Sequence, residues 1–255
     1  MTGTARDTSR AAFPDWRFAP NIGGHPDLYE IENRALDPGG HMLAAMRRLA
    51  PWDGRTLVDL GCGTGFWLPG YAQDAARVIG VEPDPVLRAR AAGRIRGRPG
   101  TEVLAGSAEH LPLGDRSADV VHARFAYFLA PGSPGPGAGG DAGLAEVLRV
   151  LRPGGSLVVV DNDYRWGEFA GLLAAGSPQP PRHLAGTVDN WWRERGATRH
   201  EVRTRWQFAS RADLAAVLDI EVPARVARAW LARHPAATGL SVGYVLFAVT
   251  RGERV

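Results

Sequence analysis

The sequence contains no lysine: its 30 strongly basic residues are all arginine. Arginine does not titrate near neutrality, so a formal net charge of only +3 coexists with a sequence pI of about 9.5. Together with abundant Ala, Gly and Pro, the missing lysine reads as the coding bias of a GC-rich bacterial genome. No dense basic run interleaved with aromatics occurs, which argues against nucleic acid as a partner. Cysteine occurs once, at Cys62, which excludes an intrachain disulfide and argues against a cysteine-based metal site; no metal is expected. No apolar run approaches the roughly 20 residues of a membrane span, and the N-terminus lacks an apolar segment of signal-peptide length. The expectation is a cytoplasmic protein, monomer or homodimer, with no membrane partner.

What is there suits one α/β domain with a small lid: 255 residues, 45% hydrophobic and 22% charged. Residues 1–20 read as a mobile tail that becomes ordered near Phe13 to Phe18. Met42, Met46 and Leu49 keep a helical period up to Pro51. Five short apolar runs follow: Thr56 to Leu60, Val78 to Val81, Val103 to Ala105, Ala118 to Ala123 and Ser156 to Val160. Helical stretches separate most of them: one to about Ala76, Pro85 to Arg96, and Leu144 to Leu151. Strand–helix alternation at this spacing predicts βαβ units and a parallel sheet. The Gly- and Pro-rich piece Gly132 to Gly140 predicts a flexible loop on the ligand side of the sheet. Further on, Leu184 to Gly196, Arg211 to Leu218 and Arg225 to His234 read as helices. Val202 to Phe208 and Val242 to Val249 read as strands added to the sheet, with antiparallel pairing. Trp191 and Trp192 are adjacent, so only one of them is expected to face inward from its helix.

The strongest local signal is Val58-Asp59-Leu60-Gly61-Cys62-Gly63-Thr64-Gly65, where a strand hands over to a helix. Glycines at alternate positions let the backbone turn tightly and let a ligand approach closer than a Cβ would allow. Glu82 ends the next strand, where a carboxylate can accept both hydroxyls of a ribose.

Here the sequence resembles the class I S-adenosylmethionine-dependent methyltransferases, in the branch typified by small-molecule enzymes. The likeness runs colinearly over about residues 55–162. It takes in Asp59 to Gly65, Gly80-Val81-Glu82-Pro83, Gly106 to Leu113, Ser117 to Ala123 and Leu148 to Gly155. The resemblance implies an α/β, Rossmann-like seven-stranded, mostly parallel sheet in the order 3-2-1-4-5-7-6. Its strand 7 is antiparallel, helices flank it, and an N-terminal helical lid precedes it. Residues 1–50 would be tail and lid, and 51–255 the methyltransferase domain. The implied cofactor is S-adenosyl-L-methionine. Gly61, Gly63 and Gly65 would face its methionine part, and Asp59 would anchor the turn or reach the amino group through water. Glu82 would hold the ribose and Pro83 the adenine pocket, with Ala108 and Glu109 at the adenine edge. The backbone at His122 and Ala123 would accept from the amino group. The family often has Asp where this chain has Ser107, so adenine recognition there would be weaker or shared with Glu109.

A sulfonium methyl group is electrophilic, and catalysis asks for alignment and dryness; a base is needed only for an acceptor such as a hydroxyl. Candidate bases are His122, Asp161 and Asp163, each with an alternative reading as backbone contact or polar turn. His25, Arg124, Tyr127, Phe128, Asp163 and Trp191 are candidates for the acceptor site. Tyr29 and Arg34, in the polar and aromatic stretch His25 to Arg34, are candidate contacts to the methionine end. The alternative for that stretch is a salt-bridged surface helix. A small-molecule acceptor is expected. The rivals are a cofactor-binding protein without turnover and a nicotinamide-dependent oxidoreductase, whose loop would need a glycine at position 66 instead of Phe66.

Overall fold

The computed structural model describes residues 2–126, 139–177 and 182–252. Four helices come first: α1 (Thr2–Ala12), α2 (Pro20–Gly24), α3 (Pro26–Ala35) and α4 (His41–Leu49). β1 (Thr56–Leu60), α5 (Leu68–Tyr71), β2 (Arg77–Val81), α6 (Pro85–Arg94), β3 (Thr101–Leu104) and β4 (Ala118–Arg124) follow. Then come α7 (Gly139–Val150), β5 (Leu151–Asn162), α8 (Gly167–Gly176), α9 (Arg182–Glu194) and β6 (Thr198–Gln207). The chain closes with α10 (Arg211–Glu221), α11 (Ala224–Arg233) and β7 (Gly239–Thr250).

All seven strands form one sheet in the order β3-β2-β1-β4-β5-β7-β6. β7 runs antiparallel to both β5 and β6, while β1 to β5 pair in parallel. This is the expected architecture. Because successive units wind outward in both directions from the β1–β4 pair, a crevice opens at the carboxyl ends of these two strands.

The strands read as continuous apolar runs because both faces are covered. On one face Leu57, Val78, Val120, Val158 and Val160 pack with Met42 and Met46 of α4, Leu214 and Leu218 of α10 and Trp230 of α11. On the other, Val58, Ile79, Val121 and Val159 pack with Val147 of α7 and Trp192 of α9. Among the described residues no helix is long and apolar enough to cross a membrane.

Several local expectations change. The chain is helical from Thr2, because Arg6 pairs with Asp84 at 3.0 Å, donates to the Gly23 carbonyl at 3.0 Å and lies over the Phe18 ring. The helix after the glycine loop is only four residues long, since Pro69 and Gly70 fall inside it. β5 begins before the run Ser156 to Val160, with Leu151 to Gly155 as its bulged start: Leu151 pairs with Ala118, and pairing then shifts to Ser156 with Val120. Trp191 and Trp192 are both buried, at 7% and 0% exposure. Their rings meet edge to face at 4.7 Å and Trp192 stacks on Phe247, so two large indoles splay apart and share one helix face. Most of the Gly132 to Gly140 piece lies outside the described residues.

Candidate functional site

The loop after β1 is folded by its own glycines. Gly61, Gly63 and Gly65 have φ of +71°, +57° and +73°, values that L side chains rarely adopt. The N–H groups of Gly61 and Cys62 both donate to the Val81 carbonyl, tying the loop to the end of β2. Gly63 N–H donates to Glu82 Oε2 at 2.8 Å, and Asp84 N–H donates to Glu82 Oε1 at 2.8 Å. Glu82 is 5% exposed; burial pushes its carboxyl up to about 7, against the pull of those two backbone bonds. Asp84 caps α6 by accepting from Val86 N–H and Leu87 N–H, so the α6 start and the Glu82 carboxylate are held in one register.

A cavity of about 220 Å³ lies over this loop. Strand order sets its layout. Ser107 and Ala108, beyond β3, wall one end, with Pro83 and Leu87 beside them. Glu82, Gly61 and Gly63 form the middle. Arg124 and Phe125 at the end of β4 wall the other end, with Trp67 and Phe66. Phe125 has φ of +50°, costly for an aromatic residue, and is held there by its N–H bond to the Val160 carbonyl.

The N-terminal helices close the cavity from above. Asp15, Trp16, Ile22, Tyr29 and Asn33 all line it. They are fixed by bonds into the sheet domain. Glu30 pairs with Arg94 at 2.7 Å and accepts from the Thr64 hydroxyl, Asn33 accepts from the Trp67 indole at 3.2 Å, and Asn21 donates to Glu221 at 2.8 Å. Glu32, buried, and Glu221, half-buried, are a hydrogen-bonded carboxyl pair; burial and then the neighbouring carboxylate raise Glu32 well above its ordinary value.

Arg124 is buried between aromatic faces, 4.8 Å from the Trp67 ring and 5.6 Å from the Tyr71 ring. Its Nη2 donates to Asp59 Oδ2 at 3.0 Å, with side-chain exposures of 7% and 1%. Asp59 is pushed up by burial and drawn back by this guanidinium.

Residues 58–159 match the family model described as "Methyltransferase domain". This stretch, about two fifths of the chain, is similar to that family. An uncharacterized methyltransferase from Mycobacteroides abscessus is 38% identical over 120 residues, which are 46% of this chain and 43% of the relative. This chain thus matches about two fifths of that relative's length. A demethylmenaquinone methyltransferase from Thermobifida fusca is 28% identical over 71% of this chain and 82% of its own length. The structure of the YcgJ protein from Bacillus subtilis superposes with a TM-score of 0.58 at 17% identity, covering 84% of this chain and 99% of that one.

The residues singled out by sequence separate into two groups. Gly61, Gly63, Glu82, Pro83, Ser107, Ala108 and Arg124 come together around the cavity, as does Tyr29 from the N-terminal part. The others are elsewhere. Gly65 does not line it; a Cβ there would stand 2.9 Å from Ala91 Cα, so this glycine lets the loop pack on α6. Asp59 lies beneath the wall, with its carboxylate engaged by Arg124. Glu109 is off the wall, its backbone N–H donating to Asp15. The Ala123 side chain belongs to the core on the far face of the sheet.

The base candidates are corrected by the same geometry. His122 is fully buried, edge to face with Trp52 at 5.2 Å and Tyr71 at 5.3 Å, and neither ring nitrogen has a hydrogen-bond partner. Burial and Arg124 push it down to about 3, so it stays neutral as a packing ring away from the cavity. Asp163 accepts from Arg165 N–H at 3.0 Å in a tight turn, with Arg199 4.0 Å away. Asp161 is buried off the wall, pushed up to about 7 by burial, and accepts from Asn162 N–H at 2.7 Å. His25 and Arg34 are exposed and Trp191 is core, so none of the three touches the cavity. Tyr127 and Phe128 lie outside the described residues.

Sequence reasoning missed Asp15, Trp16, Asn33, Phe66 and Trp67. The aromatic and acidic character of Asp15-Trp16 was a usable signal in a stretch read as tail. Phe66 and Trp67 directly follow the glycine loop, ahead of α5, and line the crevice from there.

Proposed function

We propose that this chain transfers a methyl group from S-adenosylmethionine to a small-molecule acceptor, leaving S-adenosylhomocysteine. The observation that carries the reading is the Glu82 carboxylate. It is nearly buried, faces the cavity, and takes one backbone N–H on each oxygen. An ionised carboxylate has about four acceptor positions, so capacity is left for a pair of vicinal hydroxyls, as on a ribose. In this reading the base lies toward Pro83, Ser107 and Ala108, and the amino-acid part lies over Gly61 and Gly63.

When bound, the cofactor supplies an electrophilic methyl carbon on a cationic sulfur. The chain's part is to orient and to dry the site. Tyr29, Trp67 and Phe125 bring aromatic rings to the Arg124 end of the cavity, where they suit a cation and exclude water. Among the described wall residues at that end no carboxylate or histidine stands ready as a base. The Tyr29 hydroxyl is held well above its ordinary value by burial and then by Glu32, and so stays protonated. Arg124 stays cationic. The acceptor that fits is a nucleophile that reacts without a protein base, such as a thiolate, a neutral amine or an activated carbon, with Arg124 favouring an anionic one.

The test is turnover: the protein with S-adenosylmethionine and a panel of thiol, amine and enol acceptors, reading S-adenosylhomocysteine release. Release that depends on one acceptor class and disappears in Glu82→Ala supports the reading. Release unaffected by Glu82→Ala contradicts it.

A further inference from the structure

The end of the cavity beyond β3 holds a carboxylate supplied from far away in sequence. Asp15 lies between α1 and α2, yet its side chain is 3% exposed and its Oδ1 accepts from the Ser107 hydroxyl at 2.7 Å. Its Oδ2 accepts from Glu109 N–H at 3.2 Å, and His110 Nδ1 stands 3.6 Å from Oδ1. Among the described residues no arginine pairs with it. Burying a carboxylate without a strong cation is costly, so its place in the wall asks for a ligand donor. Two hydrogen bonds leave acceptor capacity on Asp15, which lines the cavity beside Ser107. Three donors beside it are already spent: Ser107 Oγ and Glu109 N–H on Asp15, and Ser107 N–H on the His110 carbonyl. Around it Trp16, Pro83, Leu87 and Ala108 give apolar walls suited to a flat ring.

A flat ring meeting a carboxylate at its edge must present an N–H donor there. We propose that Asp15 reads the exocyclic amine of the adenine ring and thereby makes the N-terminal segment a specificity element of the nucleoside site. This rests on the cofactor reading above. Arg6 to Asp84 and Asp15 to Ser107 are the bonds that seat this segment on the two strand ends flanking the base.

The experiment is a calorimetric comparison of S-adenosylhomocysteine with S-inosylhomocysteine, in which the C6 amine becomes a carbonyl and N1 changes from an acceptor to an N–H donor. A carboxylate facing C6 accepts from the amine of the first and repels the carbonyl of the second. The wild type is expected to prefer the adenosyl compound by about tenfold or more, the scale of one hydrogen bond to a charged group. Asp15→Asn retains the shape and an acceptor for Ser107 while adding a donor for the carbonyl, and is expected to lose or reverse the preference. Asp15→Ala is expected to lose it as well, and thermal melting checks the fold of both. Were Asp15 only an anchor, both affinities would fall together and the ratio would stay at its wild-type value; that result overturns the proposal, as does a wild type without preference. A wild type that binds neither compound overturns the cofactor reading itself.

Discussion

The N–H of Gly63 donates to Oε2 of Glu82 across 2.8 Å, so the glycine loop after β1 and the acid after β2 form one hydrogen-bonded unit and not two separate ligand contacts. Glu82→Ala therefore removes a ligand acceptor and also frees the loop N–H. The expected loss of S-adenosylhomocysteine affinity is about tenfold to a hundredfold, measured by calorimetry. An affinity within twofold of wild type would rule out the ribose role.

The same carboxyl gives a pH dependence with a definite sign. Its value of about 7 in the folded chain lies above the ordinary 4.5, so its contribution to the stability of the ligand-free fold is complete below about 4.5 and is lost as pH rises through 7. Ligand hydroxyls favour the ionised form, so binding should move the other way. Affinity should rise by about tenfold between pH 6 and 8 in the wild type and stay flat in Glu82→Gln. A flat wild-type profile would show that the carboxylate does not meet the ligand.

Two glycines of one loop should fail differently. A Cβ at Gly63 would sit 2.7 Å from the flexible tip of Ile22, which can yield, whereas one at Gly65 would sit 2.9 Å from the Ala91 backbone. Gly63→Arg should fold but lose binding by at least about a hundredfold, because the side chain enters the cavity. Gly65→Ala should instead cost about 2–4 kcal/mol of stability from left-handed strain and overpacking. Urea unfolding and calorimetry on the two variants separate these outcomes. Equal effects on stability would contradict the different packing of the two positions.

Asp59 and Arg124 should behave as a buried pair. Asp59→Ala leaves a guanidinium uncompensated at 7% exposure and should cost about 3–5 kcal/mol. Asp59→Leu combined with Arg124→Met should recover much of that loss, as a double-mutant cycle in urea would show. Additive losses would mean that the two residues stabilise the fold independently.

His122 should prove dispensable for chemistry. His122→Phe keeps an aromatic ring against Trp52 and Tyr71, removes two buried unpartnered nitrogens, and should leave stability within about 1.5 kcal/mol of wild type or above it. The wild-type ring is pushed down to about 3 from an ordinary 6.5, so its stability contribution is full above 6.5 and is lost as pH falls toward 3. The variant should lose that part of the acid slope and retain methyl transfer. A hundredfold drop in transfer with an intact fold would restore His122 as a catalytic residue.

The sheet was legible because parallel strands buried on both faces leave unbroken apolar runs between glycine turns, and Val58 to Gly65 joined to Glu82 marks where they meet a ligand. The pairing order came with the family resemblance, not from the runs themselves. What escaped was whatever depended on side-chain direction. His122 and Arg124 lie on one face of β4, and only the position nearer the strand end reaches the crevice. Asp59 reads from sequence as a ligand contact, but its carboxylate is engaged by a buried arginine. The N-terminal residues were illegible for another reason: Asp15 makes its bonds 92 and 94 residues away, and no local pattern encodes a contact of that span. Trp191 failed on a rule of helix faces that holds for small side chains better than for indoles.

The most direct measurement is a calorimetric titration of the wild type with S-adenosylhomocysteine at pH 8, repeated with Glu82→Ala. One site with micromolar-range affinity is expected, clearly weakened in the variant. No binding at millimolar ligand, or equal binding by both proteins, would contradict it.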